Sequence, residues 1–374
     1  MPRHAGHPSG DRAYAWAFLF LLAAAFVAYV AGVLLVRRSA PRFAVVAAIA
    51  CVVQLAPLAS PLLLSTDAWT YWDYGRIAAI HGGNPYDDAP SRFRDDPAFP
   101  YVGTDWRDAT TVYGPAFTLA SEPVAHAAGA SADAAAWIFK TIAALAVVVA
   151  AFLAARLSRR PQLALAFVGW NPVLAVHLAG GGHNDAWIAV FVVAALAAAL
   201  AGYRRAAGVC WALASLVKWV PLLLLPLRAL EARATRRRVG HAGFEGTVVV
   251  VGVLATWRYG WTWAHAFTTL ARNANRETRF ALPHRVEQLG VPHAVTVALF
   301  AAAFALFYLW ALRSAARGRD RLALTMVAAL VATPYLAPWY LVWAVPLAAA
   351  EDDELAAGAT LVLGGYLLRQ TVPL

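Results

Sequence analysis

Two carboxylates, Asp67 and Asp73, fall within LSTDAWTYWDY (64–74), just after an apolar run ends at Leu64. An acid at the mouth of an apolar segment stands where a lipid headgroup and a water-borne hydroxyl can meet. There Asp67 can act as general base for a hydroxyl attacking an activated sugar. It can equally serve as an N-cap for the helix expected after it, as can Ser65 and Thr66. Asp73 lies six residues on, which at 3.6 residues per turn is about 120° around that helix. The two acids therefore do not share a helix face, and Asp73 reads first as a solvated or loop-bonding group.

Further polar groups interrupt apolar stretches. WNPVLAVHLAGGGHNDAW (170–187) carries His183, Asn184 and Asp185 after three glycines. These side chains suit a sugar hydroxyl, a phosphate or a metal, and Asn184 or Asp185 also suits a helix cap. One His and one Asp are too few to specify a metal. LVKWVP (216–221) puts Lys218 between apolar half-helices, an expensive position that points to a bound anion such as a lipid phosphate; snorkelling is its structural alternative. Arg272, Arg276, Arg279 and Arg285 can also hold a phosphate, or simply face water and headgroups. TPYLAPWYLVWAVP (333–346) leaves Tyr335, Trp339, Tyr340 and Trp343 beside two prolines. They form either an interfacial aromatic belt or a surface on which a sugar stacks.

The elements that must carry these groups are set by composition. The 374 residues are 61% hydrophobic and 14% charged, with mean hydropathy +0.57. Soluble domains run at about 45–50% apolar and about 25% charged. Apolar runs of about 20 residues without alternation predict membrane-spanning helices, because a backbone in lipid must satisfy its own hydrogen bonds. Spans are expected near 13–36, 43–64, 133–155, 162–179, 185–203, 243–260, 293–312 and 355–371. Stretches 115–130, 206–228 and 321–350 are broken by proline and polar residues, and breaks at membrane depth imply a cavity. The net charge of +10 sits in short arginine clusters beside apolar runs, which marks a cytoplasmic side rather than nucleic-acid binding. That bias puts 66–112 and 262–292 outside, together with GGGHND, the tip at Lys218 and 333–339. Trp69, Trp72, Arg76 and Ile80 at helical spacing predict an interfacial helix in the first of these loops. Cys51 and Cys210 both lie in apolar runs, so no disulfide framework is expected. The run 13–36 reads as a retained span, and the whole of 1–374 as one domain.

STDAWTYWDYGRIAAIHGGNPY, YGPAF, WNPVLAVHLAGGGHNDAW, LVKWVPLLLLPL and PYLAPWYLVWAVPL, in this order, resemble the GT-C glycosyltransferases that use polyprenyl-phosphate sugars. The similarity is to the actinobacterial polyprenyl-phosphate-mannose-dependent mannosyltransferases, including α-1,6-mannosyltransferases and glycosyltransferase family 87, and covers about 60–347. It implies an all-α polytopic bundle of about 10–13 transmembrane or half-membrane helices in the plasma membrane. It implies an inverting transfer of a hexose, mannose foremost, from a polyprenyl-phosphate sugar to a glycan or glycolipid acceptor on the outer face. Asp67 is then the base, with Lys218, Arg276 and Arg279 at the donor phosphate. Tyr71, Asp73, His183, Asn184, Asp185, Tyr335 and Trp339 are the candidates for sugar or acceptor contacts. No metal cluster is visible, and the resemblance leaves a requirement for Mg or Mn open. The first-loop acid usually follows the first span in this class; here it follows the second, which implies an extra N-terminal helix. A secondary transporter or lipid-linked-sugar flippase also uses broken helices and a mid-membrane lysine. Neither accounts for the long acidic outer loop.

Overall fold

The computed structural model describes residues 12–39, 41–237, 239–273 and 276–374. Its regular elements are all helical. Helix α1 (Arg12–Ser39) leads into α2 (Phe43–Leu55), which tightens into a 3₁₀ turn at Ala56–Ala59 where Pro57 cannot continue an α-helix. Next come α3 (Asp67–Ala79), α4 (Pro115–Ala128) and α5 (Ala132–Leu157). Helix α6 (Pro161–Gly169) and the short α7 (Pro172–Leu174), which runs into a π-helical turn at Ala175–Ala179, form a pair bent by 40°. There follow α8 (Asp185–Leu200), α9 (Arg204–Val217), α10 (Leu225–Ala234), α11 (His241–Tyr259), α12 (Ala266–Asn273) and α13 (Leu282–Glu287). The chain closes with α14 (His293–Ala315), α15 (Leu322–Ala332), α16 (Val345–Ala350) and α17 (Glu354–Leu367).

Among the described residues, α1, α5 and α14 are long and apolar enough to cross a membrane, and the bent α6–α7 pair makes a fourth if it is one span. At 1.5 Å per residue the shortest of the three, 23 residues, extends about 35 Å, beyond the ~30 Å hydrocarbon core. Other expected spans are shorter. The 14 residues of α17 reach only about 21 Å. Helix α11 forms where a span was expected, but Glu245 and Arg258 at its ends dilute the apolar run. Stretch 115–130 becomes α4, too short to cross, and 206–228 becomes the hairpin α9–α10 with Lys218 at its break.

The two ends of the bundle differ in charge. At one end Arg37 and Arg160 both reach Glu354 (3.1 and 3.0 Å), Arg321 lies 3.7 Å from Asp353, and Arg228 pairs with Asp320. Helix α5 ends there at Leu157; its other end, Ala132, accepts a hydrogen bond from the Trp69 indole at 2.8 Å. The arginine clusters and the loop after Asp67 therefore occupy opposite ends of α5.

That loop is a packed structure. Every residue of α3 from Ala68 to Ala78 is buried, so the expected interfacial helix forms but is enclosed on all sides, against α4 and α5 among others. Arg76 grips Asp96 with two hydrogen bonds (2.7 and 2.9 Å), and His81 adds a third contact at 2.6 Å. This buried bidentate pair fastens the loop to its helix.

Candidate active site

Asp67 opens α3, yet neither its carboxylate nor the Thr66 side chain caps the helix. Instead, the Asp67 N–H donates to Ser65 Oγ (3.1 Å), leaving the carboxylate free for other partners. Its Oδ2 lies 3.3 Å from the Tyr71 hydroxyl, one helical turn on, and 3.1 Å from His183 Nδ1. The Tyr71 hydroxyl can also donate to Asn184 Oδ1 (3.4 Å). His183 is fully buried and stacks on Trp339 with ring centres 3.8 Å apart and planes at 12°. It approaches the Asp67 carboxylate closely but not along a straight hydrogen bond.

The local backbone explains this placement. The π turn at 175–179 breaks the helical ladder, and π turns are frequent at functional sites. A Cβ on Gly181 would lie 3.0 Å from the His183 ring. Gly182 adopts φ +71°, and its Cβ would meet Ala68 at 3.1 Å. Only glycine lets the turn lie against the start of α3. The Leu63 N–H donates to Gly180 O (3.0 Å), tying the strand of chain before Asp67 to the same turn.

A second ion pair completes the cluster. Helix α9 stops at Lys218, whose backbone is extended (φ −158°, ψ 144°), three residues before Pro221. The Lys218 ammonium donates to Asp185 Oδ1 at 2.8 Å and lies 4.7 Å above the Tyr340 ring and 5.2 Å above the Trp343 ring. The Trp343 indole N–H donates to the same Asp185 oxygen at 2.8 Å. Asp185 thus holds a cation rather than capping α8. The anion beside Lys218 is a carboxylate of the chain itself, and two of the three ammonium N–H groups remain for another acceptor. Burial alone would raise the Asp67 pKa. The neighbouring His183 and the positive charge of Lys218 outweigh burial and hold it below the usual aspartate value.

The predicted residues separate into two groups. Asp67, Tyr71, His183, Asn184, Asp185, Lys218 and Trp339 come together. Tyr335 is half-buried next to them, its ring 6.3 Å from that of Tyr340. Asp73 does not join: it is 1% exposed, its Oδ2 has no hydrogen-bond partner, and it lies within the field of Asp96 and Arg76. Burial, reinforced by Asp96, pushes its pKa up to about 7. The helical rotation that separates it from Asp67 leaves it outside this cluster. Arg276 packs on Trp106 (4.6 Å to the ring centre) and donates to the Asp105 carbonyl (3.0 Å), joining the segment after α12 to the loop between α3 and α4. Arg279 is exposed, Arg285 packs on Phe280, and the Arg272 side chain lies outside the described residues.

Sequence reasoning gave two groups another role and passed over two more. Tyr340 and Trp343, read as an aromatic belt or a sugar-stacking surface, stack on each other and lie against the Lys218 ammonium. Tyr113, in YGPAF, packs edge-on against Tyr71 at 5.1 Å. Lys140 is buried in α5 and donates to the Ser60 and Pro61 carbonyls (2.5 and 3.2 Å), fixing the chain that delivers Asp67. A lone lysine inside an apolar run was the available signal.

The cluster does not offer Mg²⁺ or Mn²⁺ an oxygen-rich cage. Asp185 is already engaged by Lys218 and Trp343, and Asp67 faces His183 and Tyr71.

Fold and site together define an all-α polytopic membrane protein with an acid–imidazole–ammonium cluster at the end of the bundle opposite its arginine clusters. Residues 5–233 match the family described as alpha-(1->6)-mannopyranosyltransferase, N-terminal domain, and the chain belongs to that family. The matched segment contains Asp67, His183, Asp185 and Lys218 but not Trp339, Tyr340 or Trp343. The chain is 24% identical over 368 residues to a Mycolicibacterium smegmatis protein named "Probable alpha-(1->6)-mannopyranosyltransferase", covering 82% of this chain and 65% of that protein. It is 25% identical over 228 residues to alpha-(1->6)-mannopyranosyltransferase A of Corynebacterium glutamicum, covering 54% of this chain and 46% of that protein. The chain thus spans about half to two-thirds of the length of these relatives. No solved structure matches it.

Proposed function

We propose that the protein is an integral-membrane mannosyltransferase. It moves a hexose from a polyprenyl-phosphate sugar to a glycan or glycolipid hydroxyl on the outer face of the plasma membrane. The observation that carries this reading is the Asp67 carboxylate, a fifth exposed, held below its normal pKa by His183 and Lys218 at the mouth of the bundle. Such a carboxylate is ionised at neutral pH and reachable from water, as a base for an incoming hydroxyl must be.

In this reading the acceptor hydroxyl gives its proton to Asp67 Oδ2 while its oxygen bonds to the anomeric carbon. The bond from that carbon to the phosphate oxygen breaks on the opposite face, so the configuration inverts. The polyprenyl phosphate leaves with the bonding pair. The Lys218 ammonium, placed by Asp185, Tyr340 and Trp343, offsets the charge that grows on the phosphate. Tyr335 and Trp339 offer ring faces for the sugar. Asn184 and Tyr71 offer hydrogen bonds, and Arg276 and Arg279 on the second outer loop add positive potential.

The test is transfer of labelled mannose from synthetic polyprenyl-phosphate-mannose to a panel of mannosides by purified protein in lipid, with Asp67→Asn alongside. Activity in the wild type that the variant lacks supports both donor class and base. Silence of the wild type with every polyprenyl-phosphate sugar offered would overturn the reading in favour of transport.

A further inference from the structure

Glu277, His284, Glu287 and His293 stand together on the second outer loop, outside the Asp67 cluster. His284 Nδ1 lies 2.8 Å from Glu277 Oε2 and 3.9 Å from Glu287 Oε2. His293 Nδ1 lies 2.8 Å from Glu287 Oε1 and 3.2 Å from Glu277 Oε1. Each carboxylate therefore faces both imidazoles, turning its Oε2 toward His284 and its Oε1 toward His293. One donor atom each from Glu277, His284 and Glu287 lies within 4.8 Å of the other two. In a tetrahedral zinc site with bonds near 2.0–2.1 Å, neighbouring donor atoms are about 3.3 Å apart. The two separations that share the His284 nitrogen, 2.8 and 3.9 Å, bracket that value, and His293 stands beside the trio on the other oxygen of each carboxylate.

We infer that these residues form a binding site for a divalent transition-metal ion, with Zn²⁺ the best match. Two imidazole nitrogens and two carboxylate oxygens suit borderline Zn²⁺ better than Ca²⁺ or Mg²⁺, which take all-oxygen cages of six or more ligands. The positions of the donors fit this role. His284 and Glu287 are three residues apart in α13, so they share a face. His293 is the first residue of the spanning helix α14. Glu277 precedes Thr278, whose N–H donates to Pro334 O (3.0 Å) and whose hydroxyl donates to Leu336 O (2.8 Å), on either side of Tyr335. A metal there would fasten the loop to α14 and so hold the 333–338 segment beside the candidate site. The site's function is structural, and it goes beyond the proposed transfer reaction.

The test uses the full chain in lipid nanodiscs, free of any histidine tag and stripped with chelator. Zn²⁺ titration followed by metal analysis should give one equivalent per chain. Co²⁺ in its place should show the visible absorption of a tetrahedral N/O site. Glu277→Gln and His284→Ala should each weaken binding by at least about tenfold, and Zn²⁺ should raise the melting temperature of the wild type but not of these variants. His265→Ala, which removes an exposed imidazole paired with Asp87, should leave binding unchanged. If His284→Ala fails to fold, His293→Ala gives the same reading from an exposed position. No stoichiometric uptake, or uptake that survives both Glu277→Gln and His293→Ala, would overturn the assignment and leave two imidazole–carboxylate pairs.

Discussion

At the scale of single residues, the two acids of the first loop make opposite predictions. Asp67→Asn removes the base while keeping size and hydrogen bonding, and general-base loss costs about 10²–10⁴ in rate. Single-turnover transfer should fall by that factor with donor affinity retained; near-normal turnover would remove Asp67 from the role. Asp73 is buried with a pKa near 7, far above its unfolded value. Such a group destabilises the fold above the unfolded pKa, and that penalty fades as pH drops below about 7. Asp73→Asn should therefore raise the melting temperature at pH 8 more than at pH 5 and leave transfer intact. A loss of transfer at unchanged stability would restore Asp73 to the site. For Asp67 the pKa is depressed, so the ionised form persists down to the acidic side of its normal value. His183→Phe keeps the stack on Trp339 but removes the main group opposing burial, and the acidic limb of the transfer–pH profile should move upward. A limb that stays in place would mean His183 does not set the acidity of Asp67.

At the scale of elements, the decisive feature is a set of breaks brought into register. The break before α3, the π turn before α8, the end of α9 and the 333–343 segment deliver their polar and aromatic groups to one place. Lys218 and Asp185 illustrate the cost. Asp185 is 1% exposed, so Lys218→Met alone strands a buried carboxylate, worth roughly 3–5 kcal/mol of stability. Lys218→Met/Asp185→Asn should recover folding while donor binding stays weak in a titration with polyprenyl-phosphate sugar. Full recovery of donor affinity in that double variant would assign the pair to structure alone. The close approach of α4 to α9 can be probed in the same way. A Cβ on Gly114 would lie 2.1 Å from Leu216 O. Gly114→Ala should cost about 1–3 kcal/mol and displace the end of α9 that carries Lys218.

Much of this was legible in the sequence, for physical reasons. A charged or proline-rich break in an apolar run is costly in lipid, so it marks the cavity wherever it occurs; Asp67, His183, Asp185 and Lys218 were visible on that ground. What was not legible was pairing across the fold. Nothing local says that the Lys218 ammonium meets Asp185 rather than a free phosphate, or that it lies against the stacked rings of Tyr340 and Trp343. The burial of α3 was also hidden, because its aromatic and polar residues suit a headgroup-facing helix as well as a core helix. The enclosing residues come from α4, α5 and the loop at 84–109.

At the scale of the whole molecule, orientation determines whether the chemistry is feasible. Arg37, Arg160, Arg228 and Arg321 gather with Glu354, Asp320 and Asp353 at one end, and the Asp67 cluster sits at the other. Short arginine clusters favour the cytoplasmic side, so Asp67 should face outward, where a lipid-anchored donor and a water-borne acceptor can meet. The hairpin geometry agrees: the 14 residues of α9 rise about 21 Å from Arg204, so Lys218 lies short of the far edge of a ~30 Å core, at the depth of a lipid phosphate drawn slightly inward. Single cysteines in a background lacking Cys51 and Cys210, placed at Asp105 in the first loop and Arg319 at the opposite end, should separate cleanly. A membrane-impermeant thiol reagent on intact cells should label the first and spare the second until the membrane is opened. Labelling in the reverse order would put Asp67 in the cytoplasm and require a donor carried on that leaflet.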